Sequence, residues 1–180
     1  MLYFSLVAMI KDFAPLLLGR DRRSIGRSEK VMESVTDQES FDELFRFLFH
    51  HERLLVMRAA DAIEKISCTH PEFLARHKIQ LFSLLNSALH KELKWHLALL
   101  ISRVELDGEE LKEAWRHLTY WASNPNESKL VRVNALQGLF DISSHYPELK
   151  GSFNDTLKAL EHEPIPSIKA RIKKLKLLKS

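Results

Sequence analysis

The chain holds one cysteine, Cys68, in 180 residues. A lone thiol excludes an intramolecular disulfide and any site built from several cysteines, and it suits a reducing compartment. Glycine and proline are scarce, at 5 and 6 residues, which excludes collagen-like and low-complexity chains. The phosphate-cradling patterns GxxxxGK[ST] and GxGxxG do not occur, nor do GxSxG and HExxH. The usual signatures of nucleotide binders, serine hydrolases and zinc peptidases are therefore missing. No apolar run approaches the roughly 20 residues that a membrane helix needs, so no membrane association is expected. The opening MLYFSLVAMI has no positive charge ahead of it and runs into Lys11-Asp12. It reads as a poor signal peptide, and as either a buried first helix or an over-long start with Met9 as the initiating residue. A cytoplasmic protein is expected. Clear runs of alternating β-branched residues are also absent, which points away from sheets.

What remains is a globular composition, 45% hydrophobic and 28% charged, on a chain long enough to bury a sizeable core. The net charge of +3 is unevenly spread. From Ile168 to Ser180, IKARIKKLKLLKS has six basic residues and no acidic one. The rest of the chain holds 21 basic residues (27 − 6) and 24 acidic ones. A chain-wide nucleic-acid footprint would be basic throughout. A second concentration, RDRRSIGR at Arg20–Arg27, is read as a clamp onto carboxylates such as Asp42 or Glu43, or as a phosphate site.

SCTHPEF at Ser67–Phe73 is echoed by SSHYPEL at Ser143–Leu149, 76 residues on. Ile66, Val104 and Ile142 divide that distance into two steps of 38. Each closes an apolar segment, AADAIEKI, LALLISRV and NALQGLFDI, whose small residues Ala59, Ala62, Ala98, Ala135 and Gly138 predict close helix approach. Between them lie more amphipathic segments. PEFLARHKIQLFSLLNSAL opens on Pro71. GEELKEAWRHLTYWAS follows Asp107, with Glu110 placed for a capping box. PELKGSFNDTLKALEH is the third, and Gly151 suggests a start after itself. Turns are expected at 90–92, 124–128 and 162–167, the last two marked by Pro125, Pro164 and Pro166. Further helices are expected at Ile10–Leu18, Gly26–Val35 and Ser40–His50.

Two helices in a period near 40 residues are the mark of HEAT or armadillo arrays. Over residues 40–180 the chain resembles a HEAT-repeat protein, carried by Val131-Arg132 with Ala135 and Leu139, and by PSIK at 166–169. DRRSIGRS, WHLALLISR and VRVNALQGL are similar to small bacterial HEAT-repeat proteins. The resemblance implies an all-α, right-handed α-α superhelix of about four helix pairs with an N-terminal helical cap. The cap would span 1–39 and the repeats about 40–69, 70–107, 108–146 and 147–180. It brings no activity.

Such an array presents its inner helices on a concave face, the default binding surface. The expected function is a non-enzymatic adaptor, monomeric, binding a protein partner there. Trp95, Arg132 and Lys169, spaced by 37, are read as the contact row, flanked by Arg58 and His96. The rival reading is nucleic acid tracked by that row and by Arg171, Lys173, Lys174 and Lys176, an anion-binding set that also reads as a polar end cap. Two HEAT-like enzyme families set further comparisons. The alkylpurine DNA glycosylases would require a tryptophan, here Trp95, beside an acid such as Asp61 or Asp141, whereas Trp115 and Trp121 read as packing aromatics. Deoxyhypusine hydroxylases bind iron through His-Glu pairs, and His50-His51-Glu52 and His162-Glu163 offer two. Three repeat steps would separate them by about 30 Å, at roughly 10 Å per helix layer, and metal bonds are about 2 Å. No cofactor and no metal are therefore expected. Cys68 is read as a small buried packing residue.

Overall fold

A computed structural model describes residues 13–18 and 25–178, with side chains from residue 29 onward in the second stretch. The expectations for the first ten residues and for the arginines of Arg20–Arg27 lie outside the described residues. Among the described residues ten α-helices run in chain order. They are α1 (Ala14–Leu18), α2 (Ile25–Ser34), α3 (Gln38–Arg46), α4 (Arg53–Thr69), α5 (Lys78–Ser87), α6 (Lys91–Leu100), α7 (Gly108–Ser123), α8 (Lys129–His145), α9 (Lys150–Ala159) and α10 (Pro166–Leu177). No strand occurs among the described residues. The helices form two compact units, Met1–Thr69 and His70–Ser180.

In the N-terminal unit, Asp37 and Ser40 form a capping box that starts α3. The Asp37 side chain accepts from the Ser40 backbone, and the Ser40 hydroxyl accepts from the Asp37 N–H. α1, α2 and α3 each pack on α4. The core they close holds Phe13, Leu17, Val31, Phe41, Leu44, Phe45, Ala59 and Ile63. Arg58 of α4 donates to the Leu17 carbonyl of α1. Cys68 corrects the sequence reading. It is exposed near the end of α4, its thiol directed at the Glu64 carbonyl, 3.4 Å away. The core side of that turn is taken by Ile66 and Ser67 instead.

The two echoed segments do the same work, each closing a helix, at Thr69 and at His145. Proline then opens a 3-10 turn, Pro71–His77 or Pro147–Leu149, before the next α-helix begins. Proline suits this place because its missing N–H would be unpaired in a first turn anyway. The 3-10 turn delays α5 to Lys78, whereas α9 starts at Lys150, one residue before Gly151. At the His70 position of the motif the second copy has Tyr146. Its hydroxyl donates to the Leu106 carbonyl and accepts from the Leu106 N–H, both at 2.8 Å, fixing the link before α7. There the Asp107 N–H donates to Glu110 Oε2 at 3.0 Å, completing the expected capping box.

α8 lies at the centre of the C-terminal unit, packed by α6, α7, α9 and α10. The buried positions repeat in register. Leu93, Val131 and Ile168 are equivalent, as are Leu97, Ala135 and Ile172, and Leu100, Gly138 and Leu175. The step is 38 from α6 to α8 and 37 from α8 to α10. Gly138 has a specific reason to be glycine. A Cβ there would sit 2.4 Å from the Ala98 carbonyl oxygen of α6 and 3.0 Å from Leu118 Cδ1. That close approach lets α8 wedge between its neighbours. The aliphatic side chains around it each add about 1.5–3 kcal/mol on burial.

Candidate functional site

α6, α8 and α10 contribute stripes to one uncovered face of the C-terminal unit. On α8 the stripe is Leu130, Asn134, Gln137 and Asp141, then Ser144 and His145. The spacing of three and four residues keeps these side chains on one face. On α6 and the turn after it the stripe is Lys91, Trp95, Leu99 and Arg103, and on α10 it is Ser167, Arg171, Lys174 and Leu178. The repeat register aligns Leu99 with Gln137 and Lys174, Arg103 with Asp141, and Asn134 with Arg171, while Trp95 lies one residue off the Asn134 row.

Hydrogen bonds tie the rows together. Asn134 Nδ2 donates to the Trp95 carbonyl at 3.2 Å. Arg171 donates to Gln137 Oε1, and Gln137 Nε2 donates to Asp141 Oδ1 at 2.7 Å. His145 Nδ1 donates to the Asp141 carbonyl at 2.8 Å. Burial pushes the Asp141 carboxyl above its ordinary range, and Gln137, Arg103, His145 and Arg171 hold it down only in part. The face thus carries an acid kept in an unfavourable place, framed by two guanidinium groups and an amide, with the partly exposed indole of Trp95 about two helical turns away along the same face. Such a surface is suited to polar and aromatic recognition.

A second polar system runs along the other side of the same helices. Lys94 of α6 pairs with Glu127, in the turn before α8, and lies 5.8 Å from the Trp121 ring centroid. One repeat later, Arg132 of α8 pairs with Glu163, in the turn before α10, and its Nε donates to the Ala122 carbonyl of α7 at 3.0 Å. Each cation reaches forward to the acid that precedes the next inner helix.

These two systems redistribute the residues chosen from sequence. Trp95 lies on the uncovered face. Arg132 does not: its side chain is 1% exposed and turned toward α7 and Glu163, so it is a structural residue and not a surface contact. His96 is also buried, one helix step past Trp95 and toward the core. Lys169 is exposed but sits a third of a turn from the α10 core stripe, away from Arg171 and Lys174. The assumed step of 37 between Trp95 and Arg132 is the source of the misplacement, because the α6-to-α8 step is 38 and pairs Lys94 with Arg132. Arg58 belongs to the N-terminal unit, half-buried against α1. Of the anion-binding set, Arg171 and Lys174 lie on the face, while Lys173 and Lys176 do not, and Lys176 pairs with Glu161 at 2.9 Å. Trp121 is buried, and half-buried Trp115 donates to Ser152 Oγ at 3.1 Å. The sequence reading names Asp141 only as a possible companion of Trp95, and does not group it with Asn134 and Gln137. The signal for that grouping is the polar run Asn134, Gln137, Asp141 at helical spacing inside an otherwise apolar helix.

No group of three His, Cys, Asp or Glu among the described residues is placed to hold a metal ion. No helix among them is long and apolar enough to cross a membrane.

Paired helices stacked at a period of 37 to 38 residues, with a paired-charge ladder between successive repeats, define a helical-repeat protein of the α-solenoid class. The family described as HEAT repeat domain matches residues 20–178, and the chain belongs to that family. No curated protein and no solved structure matches it. HEAT repeats serve generally as protein-interaction scaffolds.

Proposed function

We propose that the protein is a scaffold that binds a protein partner on the face shared by α6, α8 and α10, with Trp95, Asn134, Gln137, Asp141 and Arg171 as the contacts. The observation that carries this reading is Asp141, an acid whose burial opposes its charge on a face the outer helices leave open. An acid whose burial opposes its charge and which closes no core is suited to recognition. Further along the same face, Trp95 supplies a partly exposed aromatic of the kind that anchors interfaces. The face sets one acid, Asp141, among the cations Lys91, Arg103, Arg171 and Lys174, so nuclease treatment is the control that separates a protein partner from nucleic acid.

The test is affinity capture from lysate treated with nuclease. It compares wild type, Trp95→Ala/Asp141→Arg, and Arg116→Ala on the exposed side of α7. A protein retained by wild type and by Arg116→Ala, and lost with the double variant, supports the reading. Equal capture by all three places the contact elsewhere. Capture that disappears on nuclease treatment redirects the function to nucleic acid.

A further inference from the structure

The ladder of Lys94–Glu127 and Arg132–Glu163 sets a rule for its own continuation. A cation one residue past the first buried aliphatic of an inner helix, Leu93 or Val131, meets a glutamate in the turn that leads into the next inner helix. In α10 the first buried aliphatic is Ile168, and the next residue is Lys169. The ladder cation is therefore present a third time. Lys169 is exposed and makes no ion pair among the described residues, and no further turn and helix stack on α10 among them.

The surface around Lys169 is basic. The α8 residues Leu136 and Leu139 are fully buried, and their α10 counterparts, 37 residues on, are Lys173 and Lys176. Lys173 is exposed and unpaired among the described residues, and Ala170 and the 66%-exposed Leu177 lie beside it. Stacking of another apolar helix on this face would bury unpaired ammonium groups, which the lost hydration opposes. An acidic helix would instead pair with them. The two closed ladder steps show what geometry a carboxylate must have to meet such a cation: it sits in the turn immediately ahead of a helix.

We infer that the exposed face of α10 docks an acidic helical segment of a partner protein, whose leading turn places a carboxylate on Lys169 and whose helix lays further acids and a small apolar contact over Lys173, Ala170 and Leu177. The partner extends the repeat array by imitating its next step. This surface is separate from the face that carries Asp141, and its use is independent of the function proposed there.

The probe is an N-acetylated, fluorescein-labelled helical peptide of about 18 residues, long enough to hold helix. It is built from Leu, Ala and Glu, with one glutamate in its capping turn, and its affinity for the full chain is measured by fluorescence anisotropy. Saturable binding is expected, weakened about tenfold or more by Lys169→Glu, a loss of roughly 1.4 kcal/mol. Lys150→Glu on exposed α9 changes net charge equally and should weaken it far less. Replacing the turn glutamate by glutamine should weaken wild type but not Lys169→Glu, and a lysine there should restore binding to Lys169→Glu. Trp95→Ala should leave the peptide affinity unchanged, which separates failure of this site from failure of the Asp141 face. The inference is overturned by absence of saturable binding, by equal effects of Lys169→Glu and Lys150→Glu, or by duplex DNA or phosphatidylserine vesicles binding through Lys169 more tightly than the peptide.

Discussion

Removing Glu163 should damage the C-terminal unit far more than removing the arginine it serves. Arg132 is 1% exposed, so its guanidinium has given up nearly all its hydration. Two of its nitrogens are compensated, Nε by the Ala122 carbonyl and Nη2 by Glu163, while buried Nη1 makes no hydrogen bond. Glu163→Ala leaves that desolvated charge with one neutral partner, a defect worth about 3–5 kcal/mol. Arg132→Met removes the charge itself and keeps most of the volume. It gives up the bond to Ala122 and leaves Glu163, whose side chain is 16% exposed in a turn, to recover part of its hydration. A cost of about 1–2 kcal/mol follows from the lost hydrogen bonds. In Arg132→Met/Glu163→Ala the two losses should not add, and the double variant should lie near Arg132→Met alone. The assay is well isolated. All three tryptophans, Trp95, Trp115 and Trp121, belong to the C-terminal unit, so intrinsic fluorescence during urea titration reports that unit alone. The shift is read from the midpoint at unchanged slope. The reasoning fails if Glu163→Ala lies within about 1 kcal/mol of wild type, or if Arg132→Met is the more damaging of the pair.

The same titration tests the glycines. Gly138→Ala should destabilise the unit by about 3 kcal/mol or more, because the added methyl meets the Ala98 carbonyl at 2.4 Å and outweighs any gain in helix propensity. Gly151→Ala in α9, where a Cβ meets nothing within 4 Å, should stabilise it by about 0.4–1 kcal/mol. Tyr146→Phe unpairs both backbone groups of Leu106, which is buried, and should cost about 1–3 kcal/mol. Burial raises the folded-state pKa of Asp141 above its unfolded value, so the folded unit holds that proton more firmly. The Asp141 contribution therefore falls as pH rises from the ordinary carboxylate range through the raised value. Asp141→Asn should be more stable than wild type at pH 7, with the gap closing on acidification, and a less stable variant at pH 7 would contradict it.

The repeat was legible because its core is written in aliphatic residues at a fixed interval. Ile66 and Ile142 lie in the last turns of α4 and α8, Val104 follows the 3-10 turn after α6, and Ala98 and Gly138 mark where α6 and α8 touch. The direction of individual side chains was harder to read. One residue of error in register turns a helical side chain by about 100°. The single-residue difference between steps of 37 and 38 was enough to place buried Arg132 on the surface. Arginine composition gave no warning, since a long cationic side chain reads as exposed until its carboxylate is found. Glu163 lies 31 residues away, across a whole outer helix. Cys68 failed for a similar reason. Its neighbours Ile66 and Ser67 take the buried positions of that turn, and the next residue faces outward.

Two polar systems share α6, α8 and α10, and they follow opposite electrostatic logic. In the ladder each charge is matched: Lys94 by Glu127 and Arg132 by Glu163, at positions set by the repeat itself. Its charges orient successive repeats, and its worth is visible in folding. About Asp141 the matching is incomplete. The acid is held up by burial even though Arg103 and Arg171 lie near it, and its amide partner Gln137 is shared with Arg171. Burial of that carboxylate opposes its charge in the folded unit, and on the reading proposed above a partner that supplies one more donor to it would offset the cost. A partner bound there should lower the Asp141 pKa and, by linkage, bind more tightly as pH rises through the raised value. Lys169 stands between the two systems. It has the address of a ladder cation and the exposure of a binding residue, so the same geometry that holds the array together specifies what the open surface of α10 should accept.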